Sequence, residues 1–382
     1  WNLHNEGFIK NNTDFFSMLK LRASIGNPGN QNFGSYKTIT TYKFNNWLLN
    51  DFGTGLLVDA FGDPDLEWQK TIDKNIGFDV SMFNNRFHVN FDYYYKVTDP
   101  LMASIGIPLS VGVSQRLANV GKQVSKGYNG TIKYAFIYRP KERINWTTSF
   151  TFRHGHSYYD KIGKNLDQYN KENRSNSLAR YYDGGSPTAL WAVRSAGIDP
   201  ATGQEIFLTK DGKPTFQHNY DNEVVVGNTN PDVEGVWGNS LYWKGFSLNL
   251  HIRYSLGGQK FNNTLYEKVE TISVTGLSQN QDKRALYDRW QKPGDKAKFK
   301  GISQTDITPI SSRFVQDNNY IAIESVRLAY EFPQRWMERI RFSGLTVSAY
   351  MNDICRFSTI KDERGISYPF ARSVSMSISV NF

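Results

Sequence analysis

The last eleven residues constrain how this chain can fold. Between Arg372 and Phe382 every second position (Val374, Met376, Ile378, Val380 and Phe382) is apolar, and every residue between them is polar. Successive side chains leave a strand on opposite faces, so a period of two describes a strand with one apolar and one polar face. The pattern recurs. Ile76, Phe78, Val80 and Met82 alternate with polar or small residues, and after Asn84-Asn85 so do Phe87, Val89, Phe91, Tyr93 and Tyr95. Two adjacent Asn residues tolerate positive φ and suit a tight hairpin. Ten such segments are predicted, at 16–25, 68–83, 86–96, 127–138, 144–154, 236–243, 246–256, 314–332, 341–352 and 372–382.

The connections alternate in length. Short turns fall at 84–85, 139–143, 244–245 and 333–340, and long connections at 26–67, 97–126, 155–235, 257–313 and 353–371. Loops beyond about 15 residues are uncommon in compact domains, and a soluble sandwich has no reason to sort them in this way. An outer-membrane barrel does, with short periplasmic turns and long extracellular loops. The expected fold is therefore all-β, a transmembrane antiparallel β-barrel. Positions 374/376/378/380/382 and 87/89/91/93/95 would face lipid, and Phe382 would end the final strand in the periplasm as an assembly signal. Ten strands left open would strand backbone N–H and C=O groups at membrane depth, at several kcal/mol each. Either strands from outside this sequence close the barrel or the ten curl into a small pore, and the loop mass favours the first. Tyr36–Tyr42, Leu56–Val58 and Glu205–Leu208 are expected to form small ribbons outside the membrane.

Composition excludes several classes. No stretch approaches the ~18 consecutive apolar residues a spanning helix needs, and mean hydropathy is −0.54. That rules out a helical membrane protein but not a barrel, whose strands are apolar on one face only. The net charge of +9 could advertise nucleic acid. Acids lie between the basic residues throughout, however, and no nucleic-acid partner is expected. The single Cys355 allows neither an internal disulfide nor a cysteine-based zinc site. The chain starts at Trp1 without an initiator Met or apolar targeting segment, which reads as a processed chain or a piece of a longer one.

Eight stretches, in order along the chain, resemble one family. They are LRASIGNPGNQ at 21–31, DPDLEWQKTIDKNIGFDVSMFNNRFHVNFDYYYKVTDPLM at 63–102, NVGKQVSKGYNG at 119–130, AGIDPATGQEIF at 196–207, VGNTNPDVEGVWGNSLYWKGFSLNLHIRYSLGGQKFN at 226–262, DRWQKPGD at 288–295, NNYIAIESVRLAYEFP at 318–333 and YPFARSVSMSISVNF at 368–382. Together they resemble the C-terminal part of the SusC/RagA-type TonB-dependent transporters of Bacteroidota outer membranes, over essentially the whole chain. The strand at 341–352 departs from the family in lacking its more usual NLF-type ending. The resemblance implies a plugged barrel of the 22-stranded class, of which residues 1–382 would be the C-terminal portion. It also implies a plug, a TonB box and an N-terminal extension outside this sequence. It further implies active import of oligosaccharides or peptides with a SusD-like surface lipoprotein, energised by the TonB complex, and a homodimer of transporter–lid pairs. The alternatives are a passive pore or structural barrel, and a soluble β-sandwich carbohydrate-binding module.

No catalytic constellation is found, and neither an enzyme nor a cofactor is expected. The glycines of Gly26 to Gly34 lack dinucleotide or phosphate-loop spacing, as does Gly121-Lys122. His154 and His156 share a strand face without a third ligand nearby, so no metal site is assigned. Within 155–235, Tyr181, Tyr182, Trp191 and Arg194 are candidates for substrate contact, since aromatic faces and a guanidinium suit sugar rings or peptide groups. Arg22, Asp92, Arg153, Arg253 and Arg327 sit on polar strand faces and are expected toward the lumen or plug.

Overall fold

The computed structural model of the chain describes residues 1–11, 15–30, 36–51, 53–361 and 371–382. The later part of the Gly26 to Gly34 run, and Tyr368 to Phe370 of the last matched stretch, lie outside the described residues. The main sheet is a meander of ten antiparallel strands: β1 Phe16–Gly26, β2 Gln69–Met82, β3 Phe87–Thr98, β4 Lys122–Arg139, β5 Ile144–Asp160, β6 Val233–Trp243, β7 Phe246–Leu256, β8 Tyr320–Glu331, β9 Gly344–Ser358 and β10 Val374–Asn381. Each pairs with its neighbours in sequence. Asn84, Asn85, Arg143, Lys244 and Arg341 adopt positive φ at the tight turns.

Register assigns the faces. Leu21, Phe78, Phe91, Gly130 and Phe152 lie opposite one another across β1 to β5, and a second row runs through Ile137, Trp146, Leu241, Leu248, Leu328 and Ala349 across β4 to β9. Phe78 and Phe91 stack at 5.5 Å, and Phe91 and Tyr128 at 6.0 Å. These pairs bind neighbouring strands side by side, yet Ile76 remains 61% and Ile378 69% exposed. In water each would forgo roughly 1.5–3 kcal/mol of burial. The face is built for hydrocarbon. At the short-turn end, Phe136 meets Trp146, Phe246 meets Tyr330 and Phe342 meets Phe382, with ring centroids 4.5 to 5.2 Å apart, which is the composition of an interfacial girdle. Gly235 is required where Tyr254 lies flat on Phe150, because an added Cβ would stand 1.9 Å from the Thr151 carbonyl oxygen.

The buried core lies in the long connections. One cluster comprises Phe261, Val269, Ile272, Ala285, Phe299 and Phe314; a second comprises Ala118, Val120, Tyr159, Ile162 and Leu166. Ribbons pair Thr41–Asn50 with Gly53–Ala60 and Met102–Gly106 with Gln115–Asn119, and Ala189–Ile198, Glu205–Leu208, Pro214–Thr215 and Glu223–Asn228 form a four-stranded sheet. The first ribbon begins at Thr41 because residues 36–39 form a turn. β4 and β5 extend further than the periodicity indicates, since Lys126, His154 and His156 occupy positions that are apolar lower on the same face. The predicted segment 314–332 is broken. Val315–Asp317 pairs with Gln259–Phe261, and Asn318 N–H turns to the Gly258 carbonyl before β8 begins.

Candidate functional site

Two regions can meet a solute. The first is the polar face of the sheet. Arg22 on β1 bridges Asp79 on β2 and Asp92 on β3, both at 2.9 Å. Gly77 makes room for this network, since a Cβ there would fall 2.3 Å from Asp92 Oδ1. Further along, a hollow of about 430 Å³ is lined by Asp73, Tyr94, Lys96, Asn129 and Arg153. Its floor is shaped by Gly127 and Gly155, over which the Tyr94 hydroxyl lies. Lys96 pairs with Asp73 at 2.8 Å, while Arg153 reaches Glu234 only at 3.7 Å.

The second region is the folded assembly made by connections 161–232 and 257–319. Its centre is ionic. Arg313 donates from Nη2 to Glu205 Oε2 at 2.9 Å and to Glu270 Oε1 at 2.5 Å, and from Nη1 to Glu270 Oε2 at 3.1 Å. Ser311 donates to Glu205 at 2.6 Å. Burial opposes the charge on Arg313, but hydrogen bonds and attraction from Glu270 and Glu205 more than offset it, so its pKa lies above the ordinary guanidinium value. Glu205 comes from one connection, and Glu270 and Arg313 from the other, so this triad joins the two. Arg289 donates to the carbonyls of Ala285, Lys300, Glu270 and Val269. A separate buried pair, Arg180 with Glu223, fixes the four-stranded sheet to residues 174–180. Burial lowers the pKa of His218, which stands edge-on to Phe207 and Tyr220.

The stretches 196–207 and 288–295 pack against each other here. Trp290 Nε1 donates to the Pro200 carbonyl at 2.9 Å, Gly294 N–H donates to the same carbonyl, and Gly203 admits the Trp290 ring so closely that a Cβ would sit 2.5 Å from it. Asn119 and the Glu67 backbone exchange two hydrogen bonds, and Arg116 pairs with Asp63, so 63–68 and 119–130 are joined in the same way.

Comparison with known proteins accords with this architecture. No family model matches the chain. A TonB-dependent receptor of Formosa agariphila, P26, is 25% identical across all of this chain and 41% of its own length. Another from that organism, P3, is 25% identical over 92% of this chain and 36% of its own length. The TonB-dependent receptor SusC of Bacteroides thetaiotaomicron is 23% identical over 88% and 34%. A chain of the RagAB peptide transporter superposes with a TM-score of 0.81 at 21% identity, over 95% of this chain and 39% of that one. The chain is a homologue of TonB-dependent receptors, SusC among them. It spans between about a third and two fifths of the length of the curated relatives it matches, and its sheet is part of an outer-membrane β-barrel.

Within this sheet and its connections, the candidate residues fall into separate settings. Arg22 and Asp92 meet in the network above. Arg253 forms a two-pronged pair with Glu324, the extra residue of a bulge in β8, and Arg327 is exposed on the same face. In the loops, Tyr181 packs against Tyr159 and Tyr169 beside the second apolar cluster, and Arg194 donates to the carbonyls of Thr209 and Lys210. Tyr182 and Trp191 contact each other at 5.2 Å. Among the hollows described, one of about 350 Å³ is lined by Tyr181, together with Tyr159 and Tyr169. His154 donates to the Asp232 carbonyl at 2.6 Å and lies beside Tyr128 on the apolar side of the sheet. The Glu205–Arg313–Glu270 triad escaped sequence reasoning because its members are 65 and 43 residues apart. Its one signal was the position of Glu205 inside the matched stretch AGIDPATGQEIF.

Proposed function

We propose that this chain is the C-terminal portion of a plugged barrel of the 22-strand class that imports oligosaccharides or peptides across the outer membrane. Energy comes from the TonB complex pulling on the plug, and a SusD-like lipoprotein closes over the long connections. The observation that carries this reading is the sorting of mass. Both apolar clusters and the ionic centre are built from connections at one end of the sheet, while the described connections at the other end are tight turns and, at 332–343, two short helical turns. A passive pore has no use for so large an assembly over its mouth. The relatives that are TonB-dependent receptors, SusC among them, support the coupling to TonB, and the solved RagAB peptide importer supports import.

The test uses the complete transporter with Cys355 replaced by Ser and single cysteines placed at Tyr182, Asn222, Gln281 or Asn84. A membrane-impermeant thiol reagent on intact cells labels the first three and spares Asn84. Labelling at Asn84 with protection of the other three would invert the topology. Removal of TonB abolishes uptake of the solute on which cells carrying the transporter depend, and undiminished uptake would instead establish a passive pore.

A further inference from the structure

Segment 301–309 separates two hollows on the loop assembly. The first, about 350 Å³, is walled by Leu286, Trp290 and Ile302. The second, about 500 Å³, holds Phe216, His218 and Ile307 together with the amides of Gln204 and Gln304. Ser303 borders both. Leu286 is 60%, Ile302 49% and Ile307 79% exposed, although the assembly they belong to buries Phe299, Val269 and Phe314 almost completely. Loose packing therefore does not account for them. Clustered apolar exposure of this kind marks a recognition surface.

The floor of the first hollow is fixed, and the exposed Asp306 stands at the second. Trp290 is pinned through Pro200 and Gly203, Arg289 is saturated by carbonyls, and Lys300 Nζ donates to the Asp306 carbonyl. Burial lowers the pKa of Lys300. Leu286 and Ile302, beside an Arg289 already spent on carbonyls, would leave the hydroxyl rim of a sugar unpaired, at a cost in desolvation. They match a Leu, Ile or Phe side chain. The adjoining hollow supplies what the rest of a peptide needs, namely the amides of Gln204 and Gln304 and the hydroxyls of Ser303 and Thr305.

We propose that the joined hollows are a substrate subsite for peptides, with an apolar side chain seated among Leu286, Trp290 and Ile302 and the neighbouring backbone lying along the Gln204 and Gln304 side. The proposal rests on the import reading above and names the substrate class for the loop assembly. The test uses the purified complete transporter and three probes: an acetylated, amidated heptapeptide Gly-Ser-Gln-Leu-Gln-Ser-Gly, the same peptide with Ser in place of Leu, and maltohexaose. The leucine peptide binds roughly tenfold or more tightly than the serine peptide, the scale set by burying one such side chain. Ile302→Asp and Leu286→Ser each erase that difference, and Ile302→Val preserves it. Heat-modifiable migration of the barrel confirms that each variant is folded.

A leucine preference that survives both disruptive variants would overturn the subsite, as would maltohexaose binding weakened by them as strongly as the leucine peptide. TonB-dependent peptide uptake unchanged in Ile302→Asp would remove the subsite and leave the import reading standing. TonB-independent uptake, with the leucine preference lost in the variant, would uphold the subsite and remove the import reading.

Discussion

Replacing Arg313 by Met should loosen the loop assembly and leave the barrel wall intact. The side chain of Arg313 is 11% exposed, and its carboxylate partners Glu205 and Glu270 are 6% and 0% exposed. Methionine fills much of the volume but leaves two buried carboxylates without their shared cation. Removing one partner of a buried ion pair typically costs about 3–5 kcal/mol. Arg289 and Lys300 still attract Glu270, which argues for the lower end. At about 1.4 kcal/mol per tenfold, 3 kcal/mol raises the local opening equilibrium by roughly two orders of magnitude. Hydrogen exchange followed by mass spectrometry on the complete transporter should show that loss of protection in residues 189–208 and 262–314, with β2 to β8 unchanged. The triple variant Arg313→Met, Glu205→Gln, Glu270→Gln removes the stranded charges and should recover much of the protection. By contrast, Arg253→Gln breaks a pair whose side chains are 45% and 37% exposed and should cost below about 1 kcal/mol. Unchanged protection in Arg313→Met, or a triple variant no better than the single one, would refute the view that charge compensation holds the two connections together.

Three further outcomes follow from the same structure. Ile378→Arg should lower folded yield in liposomes by an amount equivalent to about 2–4 kcal/mol, with Ser377→Arg tolerated, because these neighbours face opposite sides of β10; equal tolerance would reject the lipid-facing assignment. Deleting Phe382, which is 89% exposed and meets Phe342 edge-on, should reduce surface abundance of the complete transporter far more than its resistance to unfolding, and normal abundance would count against an assembly role. Burial holds the His218 pKa below its ordinary value of about 6.5, so the unfolded chain takes up that proton first. The loop assembly should therefore keep its full stability above about pH 6.5 and lose part of it as pH falls from there toward the folded pKa; exchange protection around Phe207 and Tyr220 that is as acid-sensitive in His218→Gln as in the parent would contradict this.

The barrel strands were legible because their periodicity is a local property. A residue needs only its neighbours two positions away to show which face it occupies, and Phe87 to Tyr95 or Val374 to Phe382 carry that signal without reference to anything distant. Legibility failed where the environment of the strand changes. On β5 the apolar row ends at Phe152 and passes to His154 and His156, so the strand continues to Asp160 without the alternation that would reveal it. At Glu324 a single extra residue shifts the phase of β8, and the sequence shows only a charged residue between Ile323 and Ser325. The long connections were harder for a different reason. Their core is made of pairs such as Arg180 with Glu223 and Arg313 with Glu270, and a charged residue that will be buried against a partner 43 positions away looks the same in sequence as one that will be solvated.

That difficulty also explains why the aromatic and arginine set chosen from sequence was dispersed. Tyr181 and Arg194 have the residue types of a ligand site, but the loop assembly uses both to hold itself together, Tyr181 through ring contacts and Arg194 through carbonyls. In a folded loop assembly, an aromatic or a guanidinium is available to a solute only after the internal hydrogen-bonding and packing demands have been met. The informative residues are then the ones left over: Leu286, Ile302 and Ile307, apolar and exposed on a rigid floor, and Arg153, facing the hollow on the polar side of the sheet with a distant partner. None of these stands out by type. They become visible only when every other side chain around them has been accounted for, and they are the positions at which substitution should alter what the transporter binds while leaving its folding untouched.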